Sequence, residues 1–189
     1  MGLKNDMNMF RVKIFQLLVL GIVLMSCDSK DDLDATPPVL SVVPIDLSSV
    51  THSIPFGEEL SATQKNPAFE YIVDNTNEPV VSCLDGYIDN IIENTSFSDV
   101  EIHVKPSLNS EWLIIYDHIK NTTLTKGDFV NAGETLGIVG EGNRVELQIN
   151  QGDGSSAIAH CPFNYATTNF IADHLTILDN WCVTQTVNP

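Results

Sequence analysis

Short apolar runs separated by turn residues follow one another through the second half of the sequence. They occupy residues 79–84, 87–92, 100–104, 111–119, 135–139 and 144–149. Asp85-Gly86 separates the first two runs and glycines separate the last two, as is typical of turns between neighbouring strands. The run at 111–119 is almost continuously apolar, which indicates a strand near the centre of a sheet. The pattern predicts an all-β domain, a compact barrel or sandwich, with a short helical segment only around residues 165–178.

The run at 144–149 alternates between polar and apolar residues. Because successive side chains of a strand point to opposite faces of a sheet, Arg144, Glu146 and Gln148 are predicted to share one face. The intervening aliphatic residues then face the core. The polar face is either a solvated surface or part of a site.

Two motifs in the middle of the chain narrow the fold further. They are YDHI at residues 116–119 and KGDFVNAGETLGIVG at residues 126–140. They resemble the Tyr-x-His-Leu strand and the following Gly-Asp-x-Val-x-x-Gly-x-x-Leu-Gly turn of the lysostaphin-type (LytM) zinc endopeptidases, which cut peptide cross-links in bacterial cell walls. The resemblance extends over residues 55–165 and implies the β fold of that family.

The resemblance also identifies the positions that would hold zinc and activate water. The family's three zinc-ligand positions, two histidines and an aspartate, carry Asn66, Glu70 and Glu146 here. A water-activating histidine is replaced by Arg144, and only the histidine of the Tyr-x-His segment is retained, as His118. Catalytic zinc needs about three nitrogen, sulfur or carboxylate ligands and an open position. The resemblance therefore implies a non-catalytic relative with no expected cofactor, in which Arg144 pairs with Glu70 or Glu146.

Two classes of function stay open at this point. The first is a binding or regulatory module of the cell envelope, which keeps the family's groove for a cell-wall peptide, a glycan or a partner protein. The second is an active metallo-endopeptidase with a rearranged zinc site, to which His52, His103, His160 or His174 would contribute if the fold brings them together. A lipoyl- or biotinyl-type domain is disfavoured, because it needs a lysine at a hairpin tip and no lysine follows Lys126.

The N-terminus has the pattern of a secretory signal. Three basic residues precede an apolar run at residues 14–25, which is too short to cross a bilayer as a helix. The run ends just before Cys27 in a segment that resembles the lipobox of bacterial lipoproteins. The resemblance implies a signal peptide at residues 1–26, acyl chains on Cys27 that anchor the protein to the membrane, and a place in the cell envelope.

The residues after Cys27 predict a tether followed by the β domain. Residues 27–50 contain three prolines and little periodicity, which favours a linker that separates residues 51–189 from the membrane. Residues 28–32 form an acidic cluster that resembles the signal sending some lipoproteins to the outer cell surface. It is either that signal, which would place the protein on the outer membrane, or a solvated part of the tether.

The charge balance excludes one class of partner. Nine lysines and arginines stand against 25 aspartates and glutamates, and the formal net charge is −16. A surface this acidic repels phosphate backbones, which excludes nucleic-acid binding and attachment to anionic lipid through a basic patch.

Three cysteines remain after Cys27 is assigned to lipidation. In an oxidising compartment Cys83, Cys161 and Cys182 allow three pairings, each of which leaves one thiol. Cys83 lies within an apolar run, which favours a buried thiol and a disulfide between Cys161 and Cys182.

Overall fold

A computed structural model describes residues 33–152 and 154–189. The predicted signal peptide and the lipidation site at Cys27 lie outside these residues, and both stay predictions. Within the described residues, no helix has the length and apolar character needed to cross a membrane.

The described part of the chain folds mainly into strands. In chain order they are β1 (Val50–Ile54), β2 (Glu59–Ser61), β3 (Gln64–Lys65), β4 (Phe69–Val73), β5 (Pro79–Val81), β6 (Gly86–Glu93), β7 (Val100–Lys105), β8 (Trp112–Lys120), β9 (Phe129–Val130), β10 (Thr135–Val139), β11 (Arg144–Gln151), β12 (Ile158–His160) and β13 (Thr186–Val187). A helix, α1 (Thr168–His174), begins after Thr167, whose hydroxyl accepts a hydrogen bond from the Phe170 N–H. Single 3₁₀ turns lie at Leu47–Ser49, Glu141–Asn143, Gly154–Ser156 and Pro162–Tyr165. The predicted all-β class and the short helical segment near the C-terminus are confirmed.

Hydrogen bonds join most of these strands into one sheet. Its main path runs β1-β4-β11-β8-β7-β6-β9, with β10 pairing to β5 and β8, and β12 pairing to β11 and β13. Strands β2 and β3 form a separate hairpin. The sheet branches and stays open. Strand β8, the apolar run at 111–119, lies near its centre as expected.

Strand β8 changes its neighbour near its C-terminal end. Strand β11 pairs with β8 as far as Asp117, whereas β10 pairs with the last two residues of β8. The pairing of β8 with β7 shifts register at the same place. His118 takes a positive φ of 61° there, which indicates a β-bulge. A bulge bends the strand and redirects side chains, so that the adjacent residues Asp117 and His118 can serve one site.

The core lies against one face of the central strands. Val145, Leu147 and Ile149 of β11 are fully buried, as their alternation predicts. In β4, Phe69 and Tyr71 enter the core beside Trp181, with the Trp181 ring centroid 4.7 and 5.3 Å from theirs.

The domain begins earlier in the chain than the sequence predicts. The compact unit starts at Leu33, within the predicted tether at residues 27–50. Leu40 is fully buried and forms a parallel bridge to Ala166, and Ile45 is also buried. Isolated apolar residues between prolines give no periodic signal, so the packing of residues 33–50 onto the domain was not predictable from their pattern.

The cysteines adopt one of the three pairings that the sequence allows. Cys161 and Cys182 form a disulfide across 21 residues of chain. The disulfide and a parallel β-bridge between Cys182 and Phe56 together tie the segment carrying Trp181 to the core. Cys83 is a buried free thiol, and burial raises its pKa to about 12.

Candidate functional site

Three carboxylates form a row across three neighbouring strands. Glu146 of β11 pairs with Glu70 of β4 on one side and with Asp117 of β8 on the other. Like charges placed directly opposite one another destabilise a sheet. The row therefore needs a positive charge close by.

Arg144 supplies that charge from two residues away on the same face of β11. Its Nη1 lies 3.4 Å from Glu70 Oε2, and its Nη2 lies 3.2 Å from Glu146 Oε1. The predicted pairing of Arg144 with these glutamates is confirmed. The Glu70 side chain is only 4% exposed, whereas that of Arg144 is 36% exposed, so the guanidinium closes the row from the solvent side.

His118 extends the cluster from β8. Its Nδ1 lies 3.0 Å from Asp99 Oδ2, and its Nε2 contacts Nη2 of Arg144. A guanidinium can only donate, so in this contact Nε2 accepts and the ring proton on Nδ1 is donated to Asp99. Burial lowers the pKa of His118, but the hydrogen bonds that a protonated ring would donate to Glu146 and Asp99 outweigh it and the net shift is upward. A second proton, on Nε2, would break the contact with Arg144.

The β6–β7 hairpin and the turn before β11 hold His118 in place. The Asp99 carboxylate accepts hydrogen bonds from the Asn94 amide at 2.6 Å and from the Glu141 N–H at 2.9 Å. Burial raises the pKa of Asp99, but these hydrogen bonds and that of His118 bring it below its usual value. A Cβ at Gly140 would lie 2.5 Å from Asp99 Oδ2, so only glycine permits this approach.

The pKa of Glu70 shows the effect of the repulsion within the row. Burial, followed by the charge of Glu146, raises the pKa of Glu70 to about 7, although Arg144 and His118 act in the opposite direction. One guanidinium therefore compensates this group of acids only in part.

Asn66 is turned away from the cluster. Its amide donates to the carbonyls of Ile54 and Pro55, at 3.4 and 3.2 Å, and its Oδ1 accepts from the Ala68 N–H. The structure thus brings together Glu70, Glu146, Arg144 and His118 from the sequence-derived set, while the buried Asn66 amide supports the start of β4.

Asp117 and Asp99 are members of the cluster that sequence reasoning did not identify. Asp117 lies within the YDHI motif, but only the bulge shows that it shares a site with His118. Asp99 and Asn94 come from a hairpin whose sequence carries no signal linking it to the motif.

One group of potential metal ligands is present in the described part of the chain. Asp117, His118 and Glu146 each offer a ligand atom, and these atoms lie within 4.8 Å of one another. The set does not fit a catalytic zinc of the kind that the LytM endopeptidases hold, because Arg144 contacts Nε2 of His118 and an oxygen of Glu146. No step of a hydrolytic mechanism can be derived from it.

The other histidines have separate environments. His174 and His160 pack among aromatic rings, His103 contacts Glu101, and His52 is exposed on β1. The rearranged site that would use them does not assemble among the described residues.

A cleft of about 360 Å³ lies next to the cluster. The β6–β7 hairpin and the end of β8 line it, with Glu93, Phe97 and Lys120 among the lining residues. Phe97 is 46% exposed, and its ring meets that of His118 edge-on with 5.3 Å between centroids. Asp99 borders both the cleft and the cluster. The cleft therefore offers apolar surface and charges of both signs beside Arg144.

No protein-family model matches the sequence, and the curated proteins contain no significant match. Several solved structures have a similar fold. Csd3 of Helicobacter pylori matches with a TM-score of 0.53 and 18% identity, over 70% of this chain and 36% of Csd3. The catalytic domain of lysostaphin from Staphylococcus simulans matches with a TM-score of 0.52 and 17% identity, over 62% of this chain and 92% of that domain. A chain of the SpoIIIAH–SpoIIQ complex matches with a TM-score of 0.53 and 16% identity, over 66% of this chain and 98% of its own length.

These matches define the class of fold. The chain has a degenerate LytM-like peptidase fold. The matched region spans about a third of Csd3. At these identities the likeness shows the fold alone.

Proposed function

We propose that this protein is a lipid-anchored, non-catalytic LytM-fold module that binds a cell-wall peptide, a glycan or a partner protein in the cell envelope. One observation carries the proposal: the Arg144 guanidinium contacts Glu70, Glu146 and His118, where a hydrolase of this fold would need a metal and a water. A guanidinium in this position cannot bind a water and lower its pKa as a metal ion does.

The cleft beside the cluster is the proposed binding surface. Its exposed Phe97 offers apolar contact, and Glu93 and Lys120 offer opposite charges for the polar groups of a peptide. One structural neighbour is a chain of the SpoIIIAH–SpoIIQ complex, an assembly of two proteins. That likeness supports a protein partner as one of the candidates.

Binding can be tested with purified cross-linked cell-wall material in a sedimentation assay. Phe97→Ser should weaken retention if the cleft is the binding surface. Phe129→Ser is a matched control, because Phe129 is 47% exposed and lies outside the cleft. Equal losses in both variants would assign the effect to general exposed hydrophobicity, and no loss in either would remove the cleft from the proposal.

The second candidate is an active metallo-endopeptidase, which would have to displace Arg144 and use the Asp117–His118–Glu146 group as metal ligands. The protein incubated with zinc and cross-linked muropeptides should give no new products on chromatography if the first proposal is right. Products that disappear with a chelator would establish the second.

The anchor and the location are part of the same proposal. Acyl chains on Cys27 would hold the protein in the cell envelope, on the outer membrane and at the cell surface if the acidic residues 28–32 act as an export signal. Labelled palmitate should enter the native protein and not Cys27→Ala. Incorporation that survives the substitution would contradict lipidation at Cys27.

A further inference from the structure

We infer that Arg144 is the resident cation of this cluster and that its guanidinium closes a divalent-cation site formed by Asp117, His118 and Glu146. The inference goes beyond the proposed function, because it concerns what holds the site together and not what binds beside it.

The register of the sheet creates the need for a cation. Glu70, Glu146 and Asp117 lie in one row across β4, β11 and β8, and Glu70 is almost fully buried. Arg144 contacts two of these carboxylates and the free nitrogen of His118 at the same time. A planar guanidinium with several fixed donors can serve three acceptors in this way, whereas a divalent ion would serve the same acceptors by coordination.

The three donors already converge without a metal. The bulge in β8 brings the adjacent Asp117 and His118 to one site, and the pairing of β8 with β11 places Glu146 opposite Asp117. Their ligand atoms lie within 4.8 Å of one another. One imidazole and two carboxylates are a donor set that Zn²⁺ accepts.

The imidazole is also oriented as a metal ligand would be. Asp99 accepts from Nδ1 of His118, and this leaves Nε2 with its lone pair towards Glu146. A carboxylate that fixes the outer nitrogen of a histidine is the usual support of a metal-binding imidazole. In the native chain that lone pair accepts from Arg144 instead.

The decisive experiment compares zinc uptake in the native chain and in Arg144→Gln, a neutral variant of similar length. Arg144→Gln should retain about one zinc per chain after gel filtration, measured by mass spectrometry, with a dissociation constant at least about tenfold below that of the native protein. Its melting temperature should be lower than that of the native protein in EDTA and should rise when zinc is added.

Three variants serve as controls. Arg144→Lys keeps the positive charge and should take up no zinc. Arg144→Gln with Glu146→Gln lacks one ligand and should lose the uptake, which separates this site from the scattered surface acids. Arg144→Gln with Glu70→Gln removes the buried charge that threatens folding and should still bind zinc, so a misfolded single variant does not end the test.

Two results would overturn the inference. One is stoichiometric zinc in the native protein together with a melting temperature that falls in EDTA. The other is a folded Arg144→Gln or Arg144→Gln/Glu70→Gln protein that binds no more zinc than the native chain. Neither result would decide whether the cleft binds cell-wall material, which the Phe97→Ser comparison tests separately.

Discussion

Two buried histidines lie on opposite sides of strand β4 in contrasting environments. His174 is fully buried, with Nε2 2.7 Å from the Tyr71 hydroxyl and Nδ1 2.8 Å from the Phe170 carbonyl. His118 is buried almost as deeply, but its partners are the charged groups of Asp99 and Arg144. Burial lowers the pKa of His174 to about 4, whereas the net shift in the pKa of His118 is upward.

The alternation of one strand produces this contrast. Phe69 and Tyr71 point from β4 towards His174 and Trp181, while Glu70 between them points towards Arg144. The His174 side is a neutral, aromatic part of the core and stabilises the fold. The Arg144 side keeps ionised groups together at the cost of charge repulsion, as functional sites commonly do. The two sides should therefore respond differently to truncation and to pH.

The largest effect is expected on the aromatic side, for Trp181→Ala. Trp181 packs against Phe69, Tyr71 and His174, and its indole N–H donates to the His174 carbonyl at 2.9 Å. Loss of this ring should lower the free energy of unfolding by about 3–5 kcal/mol, measured by urea denaturation. The exposed Phe97→Ala serves as control, with an expected change within about 0.5 kcal/mol. Similar losses in both variants would contradict the assignment of the core to this side.

Acidification should weaken the aromatic side through His174. Its folded pKa of about 4 is below the unfolded value of 6.5, so its contribution is complete above pH 6.5 and is lost as the pH falls towards 4. The loss should reach about 3 kcal/mol by that pH. In His174→Gln this part of the pH dependence should disappear from urea midpoints between pH 8 and 4. An unchanged slope would show that His174 does not titrate as described.

A rise in pH should weaken the polar side through Glu70. Its folded pKa of about 7 is above the usual 4.5, so its contribution is complete below pH 4.5 and is lost as the pH rises through 7. We expect a loss of about 2 kcal/mol, less than the shift alone gives, because Glu70 interacts with several other charges of the cluster and its partly exposed partners are screened by solvent. The free energy of unfolding of Glu70→Gln, relative to that of the native protein, should increase as the pH rises from 4.5 to 8. A constant difference between the two proteins would contradict the shift.

The smallest effect separates a hydrogen bond from the packing around it. Tyr71→Phe keeps the ring beside Trp181 but leaves Nε2 of the buried His174 without its donor. We expect a loss of about 1–2 kcal/mol by urea denaturation. The half-buried Tyr87→Phe on β6 is the control and should change stability by less than about 0.5 kcal/mol. No difference between the two would mean that the His174 contact contributes nothing.

The sequence predicted the parts of this comparison that follow from alternation. The polar face of β11 follows from a period of two, whereas the contact of Arg144 with the glutamates was implied by the resemblance to the LytM endopeptidases. The bulge at Asp117 and His118 was not predictable, because a one-residue shift in pairing leaves no mark in composition and no glycine stands there. Asp99 was missed for a related reason, since only the folded hairpin brings it to His118, 19 residues away in the chain.

The aromatic side was also only partly accessible to sequence reasoning. Phe69 and Tyr71 belong to β4, a strand that the apolar runs did not identify because Glu70 separates these two aromatic residues. That glutamate belongs to the site and not to the core, so a functional residue obscured a structural element.

The row of carboxylates also affects how strand edges of a partly folded chain interact with other chains. Glu70 and Arg144 are 74 residues apart, so β4 and β8 can exist before β11 arrives between them. Pairings between distant segments form slowly, and during that time both strands have an open edge. Each edge carries an inward-facing acid, Glu70 on β4 and Asp117 on β8. Such charges would repel the edges of other chains that carry the same acids and would therefore disfavour edge-to-edge association of a sheet that lacks β11.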